Sequence, residues 1–308
     1  MKFRQALNSG KVLILDGAMG SQLGLRGLQG KCDVNLTDPD EVLRIHQEYF
    51  RRGCHAAIAN SLCLNGIYLA SHGLSVDGDA ANWAAVQIAR RATPADRFVL
   101  GNLGPSGKTL LLPDFTIEED PGAATEEMLT ETFEQQARIL AGAGADGLII
   151  ETMFDLREAV LALCACKKAS DLPVLVSMNF DTDEKGGRTI MGNSARQCAE
   201  LLTAKGADAV GANCGSVLPG QMARIIAELR AGTKLPILAE PNAGLPERTP
   251  DRTEYKMDPA TFASGVLECH RAGANVLGGC CGTTPDHIEA LIELLRREGI
   301  GLLDLGAS

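Results

Sequence analysis

A short apolar run followed by an amphipathic helical pattern recurs eight times along the chain. Each run is continuous rather than alternating, which is typical of parallel strands that are buried on both faces. The runs are residues 12–15, 56–59, 98–101, 147–150, 174–178, 209–212, 237–239 and 275–278. Eight strand–helix units predict a (β/α)8 TIM barrel, the α/β fold that usually takes about 250 residues or more.

Helix start and stop signals lie between these runs. Asp38-Pro39 and Asp258-Pro259 each place a capping residue before a proline at the first helical position.

The main alternative to a barrel is an open doubly wound sheet, which also alternates strand and helix. Residues 16–20 lack the third glycine of a dinucleotide-binding fingerprint, so we prefer a barrel that forms one domain over residues 1–308. Two long loops, 20–37 and 102–119, are expected near its site.

Charge and composition exclude several classes of protein. The formal charge is −10, and no cluster of Lys and Arg is present, which argues against a nucleic-acid partner. The apolar run 12–15 is too short for a signal sequence or a membrane span. We therefore expect a cytoplasmic protein without a membrane or nucleic-acid partner. Its ten cysteines then predict free thiols or metal ligands rather than a disulfide framework.

Three of the cysteines follow predicted strands. Cys214 ends the sixth strand, and Cys280 and Cys281 end the eighth. The loops after barrel strands build the active site, so these thiols should meet at one rim. Three thiolates suit a zinc ion whose fourth position stays open, and the flanking glycines permit the bend that adjacent ligands need. The alternatives are a packed pair of cysteines or a redox disulfide.

Zinc held in this way favours one kind of chemistry. A free thiol is mostly protonated at pH 7, and coordination to zinc removes the proton. Three thiolates leave the ion electron-rich, so a substrate sulfur bound to it should stay nucleophilic. The ligand set therefore favours transfer of an alkyl group onto sulfur over hydrolysis.

Two acidic residues also follow predicted strands. Asp16 ends the first strand and Glu151 ends the fourth. An acid in a sheltered cleft pairs well with an ammonium group, so both residues are candidates for binding the amino end of a zwitterionic substrate. The alternative for each is a helix cap or a solvated loop acid.

The chain resembles the homocysteine S-methyltransferase family, through residues 13–20 (LILDGAMG) and 278–283 (GGCCGT). Within that family it is most similar to the homocysteine-binding module of cobalamin-dependent methionine synthase. The segments that carry this likeness are residues 151–155 (ETMFD), 187–192 (GRTIMG) and 241–246 (PNAGLP).

The resemblance implies roles for six residues. Cys214, Cys280 and Cys281 would be the zinc ligands, and Asp16 and Glu151 would contact the substrate. Asn242 would occupy the fourth zinc position until a substrate thiol displaces it.

By the same resemblance, the expected reaction is methyl transfer to homocysteine, which forms methionine. The donor would be a methyl-corrinoid on a separate protein or a small molecule such as S-methylmethionine, because the folate and cobalamin domains of methionine synthase have no counterpart here. After the second strand, where the family usually has an Asn-Thr-Phe segment, residues 59–65 read ANSLCLN, so we expect a different wall near the substrate. Betaine as donor, another acceptor thiol, or a non-catalytic zinc- or thiol-binding subunit of a corrinoid system are the alternatives.

Overall fold

Eight short parallel strands form one sheet whose ends meet. The computed structural model describes residues 1–28, 32–111, 116, 120, 122–248 and 253–305. The strands are β1 (Leu13–Ile14), β2 (Ala56–Ile58), β3 (Phe98–Leu103), β4 (Gly147–Met153), β5 (Val174–Met178), β6 (Ala209–Asn213), β7 (Ile237–Glu240) and β8 (Val276–Leu277). Neighbours pair in chain order, β1 pairs with β8, and a parallel bridge between Leu15 and Ala56 joins β1 to β2. The predicted (β/α)8 barrel is confirmed.

A ring of helices surrounds the sheet. The α-helices in the described part of the chain are α1 (Phe3–Leu7), α2 (Gly20–Leu25), α3 (Val34–Thr37), α4 (Pro39–Arg51), α5 (Gly66–Ser71), α6 (Gly78–Ala92), α7 (Glu126–Gly142), α8 (Leu156–Ala169), α9 (Ala195–Ala204), α10 (Pro219–Gly232), α11 (Pro259–Arg271) and α12 (Pro285–Arg297). One long helix follows each strand, namely α4 and then α6 to α12. Two short antiparallel strands, Glu247–Arg248 and Thr253–Glu254, lie between β7 and α11. No helix of the described residues is long and apolar enough to cross a bilayer.

The helix and loop signals were confirmed in part. Asp258 caps α11, because its Oδ1 accepts hydrogen bonds from the N–H groups of Ala260 and Thr261, both at 3.0 Å. Asp38 precedes α4 as expected, but its side chain accepts from the Thr37 hydroxyl and makes no cap bond to the helix. The predicted loop 20–37 contains the short helices α2 and α3, with residues 29–31 outside the described set. In the predicted loop 102–119, residues 112–115 and 117–119 also lie outside it.

Alternate strand residues fill the barrel with apolar side chains. This inner cluster contains Leu13, Leu15, Ala56, Phe98, Leu100, Ile149, Leu175, Ala209, Leu238 and Val276. Helix α1 closes the end of the barrel where the strands begin, because the Phe3 ring packs edge-on against Phe98 at 5.3 Å between centroids. A Cβ on Gly147 would lie 2.8 Å from that ring, so the glycine makes room for it.

At the opposite end, the inward positions become polar. On five strands, the residue two positions after the last apolar inward position is polar and also points inward. These residues are Asn102, Glu151, Ser177, Asn213 and Glu240. They follow Leu100, Ile149, Leu175, Gly211 and Leu238, respectively. We call these five residues the polar layer. None is more than 9% exposed. The apolar interior is thus covered, at the carboxyl ends of the strands, by buried groups that can form hydrogen bonds.

The contact between Phe3 and the barrel generates a stability prediction. Phe3→Ala should lower the free energy of unfolding by about 3 kcal/mol, because the ring is 2% exposed and its removal leaves a cavity. Urea unfolding followed by circular dichroism measures this. Leu201→Ala, on the exposed side of α9, is the matched control and should change it by less than about 0.5 kcal/mol. A loss equally small for Phe3→Ala would contradict the proposed closure.

Candidate metal centre

The three predicted cysteines come together at the carboxyl end of the barrel. The Sγ atoms of Cys214, Cys280 and Cys281 all lie within 4.8 Å of one another, and those of Cys280 and Cys281 are 4.0 Å apart. A tetrahedral zinc ion with bonds of about 2.3 Å would place its sulfur ligands about 3.8 Å apart. The cluster is therefore close to the size that zinc requires.

The chain turns sharply at Cys214. This residue has φ of 57°, and Gly215 after it has φ of 78°. The left-handed region is unusual for a residue with a side chain, and such backbone strain is concentrated at functional sites. The N–H of Cys214 donates to the carbonyl of Glu240 at 3.1 Å, which ties the turn to the end of β7. The turn ends β6 and brings the sulfur beside the two thiols from β8.

A second turn holds the adjacent pair. The N–H of Cys280 donates to the Pro241 carbonyl at 2.9 Å, and the Cys281 carbonyl accepts from the N–H of Ala243 at 2.9 Å. Gly282 follows with φ of 80°, and a Cβ there would lie 2.2 Å from the Cβ of Tyr255. The sequence therefore needs glycine at this position, as the flanking glycines had suggested.

The thiols concentrate negative charge on one sulfur. Hydrogen bonds from Cys214 and Cys280 lower the pKa of Cys281 to about 3. The pKa of Cys280 rises well above its ordinary value, because its thiol donates to Cys214 and Cys281 and is buried. A divalent cation would replace the shared protons, so the donor set fits zinc chemically.

Beside the thiols lies a group of buried acids. Burial raises the pKa of Glu151 to about 7, although a hydrogen bond from Asn102 Nδ2 to its Oε2, at 2.8 Å, opposes the shift. Burial and the charge of Glu151 raise the pKa of Glu240 well above its ordinary value. Burial also raises the pKa of Asp16, whose two carboxylate oxygens accept from the Ile58 N–H at 3.2 and 3.1 Å. A cation that entered this site would favour the ionised acids.

A cavity of about 330 Å³ connects two of the thiols with the acid Glu151. Cys280, Cys281, Glu151 and Asn102 line it on one side. The opposite wall is largely apolar and includes Leu23, Leu28, Ile58, Leu62, Leu64 and Tyr68. No lysine or arginine occurs among the described residues that line it, so the cavity suits a small ligand that carries a positive charge.

Two predicted substrate residues lie just behind this lining. Asp16 is 2% exposed, and its Oδ2 lies 3.7 Å from Nδ1 of the buried His46. Asn242 is also 2% exposed; its Nδ2 donates to the Gly215 carbonyl at 3.0 Å. Within the described structure, Oδ1 of Asn242 is buried and has no hydrogen-bond partner. Asn242 thus contacts the turn that carries Cys214.

Sequence reasoning missed Asn102, Asn213 and Glu240. Their positions in the strands could have identified them, because each is an inward-facing polar residue near the end of a strand. A polar residue there cannot reach bulk solvent, so it needs a partner inside the barrel mouth.

A family model for homocysteine S-methyltransferase matches residues 13–295. The chain belongs to this family. The sequence-based assignment is therefore confirmed, and the three cysteines occupy the barrel end at which this fold places its active sites.

Individual relatives agree with the assignment. The chain is 28% identical to methionine synthase of Mycobacterium leprae over 96% of its own length and 25% of that protein. It is 28% identical to methionine synthase of Mycobacterium tuberculosis over 91% of its length and 24% of that protein. The chain thus spans about a quarter of the methionine synthases it matches. The metallated form of the homocysteine methyltransferase MmuM from Escherichia coli has a similar fold, with a TM-score of 0.76, 24% identity, and coverage of 95% of this chain and 99% of that one.

The cysteine cluster generates a metal-binding prediction. The wild-type protein should bind one zinc ion per chain, and Cys280→Ala should weaken zinc binding by more than about 100-fold, since it removes a direct ligand. Competition with a chromogenic chelator under reducing conditions measures the affinity. Cys164→Ala, which removes an exposed cysteine on α8, is the control and should bind zinc like the wild type. Equal affinity of Cys280→Ala and the control would refute the ligand assignment.

Proposed function

We propose that this protein transfers a methyl group to the thiol of homocysteine, with one zinc ion held by Cys214, Cys280 and Cys281. The observation that carries the proposal is that three sulfur atoms lie within 4.8 Å of one another at the cavity that Glu151 also lines. A thiol and an ammonium group on one small substrate would match these two parts of the site. Membership of the homocysteine S-methyltransferase family supports the same acceptor.

The cysteines would hold the zinc, and zinc, when bound, promotes loss of the proton from a substrate thiol. The chain itself supplies positioning and exclusion of water. Cys280 and Cys281 line the cavity, so a substrate sulfur can approach this side of the cluster. The apolar wall formed by Leu62, Leu64 and Tyr68 limits access of water, which protects the nucleophilic sulfur from competing proton transfer.

The acids would bind the ammonium group of homocysteine. Glu151 reaches the cavity, and Asn102 orients its carboxylate through the 2.8 Å hydrogen bond. Asp16 lies behind the lining and adds negative charge from a fixed position, because the Ile58 N–H holds its carboxylate. An ammonium ion would lower the pKa of Glu151 from about 7 and keep it ionised. The substrate would thus be held at both ends.

Asn242 would complete the metal site before substrate arrives. Its Oδ1 is a buried acceptor that no described donor satisfies, and its Nδ2 is fixed on Gly215, next to Cys214. An amide oxygen is a weaker ligand for zinc than a thiolate, so an incoming thiol would displace it. This is the role that the resemblance implied.

The methyl donor would be a methyl-corrinoid carried by a separate protein or a small molecule such as S-methylmethionine. A cavity of about 330 Å³ is at the small end of ligand sites, so it fits an amino-acid-sized acceptor and leaves the donor to approach through its opening. The zinc-loaded protein, homocysteine and one donor at a time should yield methionine by mass spectrometry. The donors to compare are free methylcobalamin, S-methylmethionine, betaine and methyl-folate.

Each candidate function predicts a different outcome of this assay. Methionine from methylcobalamin or S-methylmethionine supports the proposal, provided that Cys280→Ala abolishes it. Methionine from betaine alone would assign the other donor, and methylation of another thiol in preference to homocysteine would assign another acceptor. Binding of zinc and homocysteine without turnover, even with added corrinoid protein, would instead indicate a non-catalytic subunit.

The ammonium site generates a separate prediction. Glu151→Gln should raise the KM for homocysteine about 10- to 100-fold, because it removes a charged hydrogen-bond acceptor from the cavity. It should change binding of 4-mercaptobutyrate, which has no amino group, much less. Glu158→Gln is the matched control, since Glu158 is a buried acid that accepts from the Ser106 N–H at 2.7 Å. Equal losses for the two thiols would show that Glu151 does not bind the amino group.

A further inference from the structure

One buried amide spans the mouth of the barrel between the acid site and the thiol site. Asn213 is the last residue of β6 and is 1% exposed. Its Oδ1 accepts from the N–H of Thr152 at 2.9 Å, and its Nδ2 donates to the Thr152 hydroxyl at 2.8 Å. The same Nδ2 lies 3.8 Å from Sγ of Cys280. The side chain therefore reaches from β6 to the end of β4 on one side and to the turn after β8 on the other.

On the β4 side, Asn213 supports a strained position. Thr152 has φ of 62°, in the left-handed region that a β-branched residue rarely adopts. The pairing of β4 with β5 shifts register between Ile150 and Met153, so the irregularity includes Thr152. Asn213 binds both the backbone N–H and the hydroxyl of this residue. Because Glu151 immediately precedes Thr152, the same contacts fix the backbone from which the Glu151 side chain extends.

On the β8 side, Asn213 approaches a thiol of the cluster. An N–H group that donates to a thiolate stabilises its negative charge and orients the sulfur, as outer groups do in metal sites. The two Nδ2 hydrogens suffice for the Thr152 hydroxyl and the Cys280 sulfur, while Oδ1 takes the backbone N–H. Each polar atom of the amide therefore has a hydrogen-bond partner, and no other side chain of similar shape provides the same three contacts.

We propose that Asn213 is a positioning residue that couples the acid Glu151 to the thiol Cys280. It fixes the separation between the two points at which a substrate with an ammonium group and a thiol would bind. This inference rests on the proposed function for the identity of the substrate. The coupling itself depends on contacts between side chains of this chain.

Two substitutions separate the contacts with Thr152 from the contact with Cys280. Asn213→Ala removes all three contacts. Asn213→Asp keeps the shape and an acceptor for the Thr152 N–H, and the Thr152 hydroxyl can turn to donate to it. The new carboxylate, however, places negative charge beside Cys280 in place of a donor. Asn213→Asp should therefore disturb the metal site and leave the acid site nearly unchanged.

The experiment uses the full chain with three readouts. Chelator competition gives the zinc affinity, the sulfur-to-metal absorption of the Co²⁺-substituted protein reports the thiolates, and calorimetry compares binding of homocysteine and 4-mercaptobutyrate. Asn213→Ala should weaken zinc binding about 10- to 100-fold, shift the Co²⁺ absorption, and reduce the preference for homocysteine about tenfold. Asn213→Asp should change only the first two readouts.

A rescue variant tests the contact with Thr152. Glycine adopts positive φ without support, so adding Thr152→Gly to Asn213→Ala should restore the preference for homocysteine and leave zinc binding weak. The control for loss of an amide that holds the backbone of a neighbouring strand is Asn275→Ala, because the partly buried Asn275 accepts from the Ile237 N–H at 2.8 Å at the opposite end of the barrel. This control should match the wild type in all three readouts.

The outcomes are decisive. If Asn213→Ala alters only zinc binding, or only the preference for homocysteine, the proposed coupling is refuted. It is also refuted if Thr152→Gly fails to restore the preference in the double variant. Should Asn213→Ala not fold, as judged by thermal unfolding, an unchanged Co²⁺ spectrum and zinc affinity in Asn213→Asp would overturn it. A wild-type protein without preference for homocysteine refutes the proposed function instead, and the metal readouts then still test the contact with Cys280.

Discussion

The site depends on the register of the parallel strands. Cys214 and Cys280 are far apart in sequence, and they meet because β6 pairs with β7 and β7 with β8, with Leu238 opposite both Gly211 and Val276. A slip of one residue would move a strand end by about 3.3 Å and turn its inward side chains outward. Asn213 and Glu240 would then leave the barrel mouth. The pairing that builds the barrel therefore also sets the distances between the sulfur atoms and the acids.

The buried acids at the carboxyl end of the barrel lower the stability of the folded protein. Burial raises the pKa values of Asp16, Glu151 and Glu240, which means that their ionised forms are costly in the folded protein. The apolar inner cluster and the packing of α1 at the other end supply favourable burial that offsets this cost. A substrate ammonium and a metal cation would each compensate charge that the protein leaves in place. These three acids would thus be more stable with ligands bound than in the free protein.

The sequence predicted the elements better than it predicted the polar layer. All eight strands occur where apolar runs were found, because a strand buried on both faces has a clear composition. The three cysteines could also be found, since glycines and strand ends mark them. By contrast, the left-handed turn at Thr152 contradicts the preference of threonine, so local sequence cannot reveal it. The role of Asn213 depends on contacts with Thr152 and Cys280, which are 61 and 67 residues away along the chain.

The two sides of the cavity differ in how firmly the sequence fixes their chemistry. The acid and thiol side comes from β3, β4 and the turn after β8, where short hydrogen bonds and positive φ angles restrict each residue. The apolar side comes largely from the segments after β1 and β2, including Leu62 and Tyr68. Substitutions in an apolar wall change shape without leaving a charge unpaired, so that side is freer to vary. The features that would recognise an acceptor are therefore the more constrained, and selection of the donor would depend on the wall that is freer to vary.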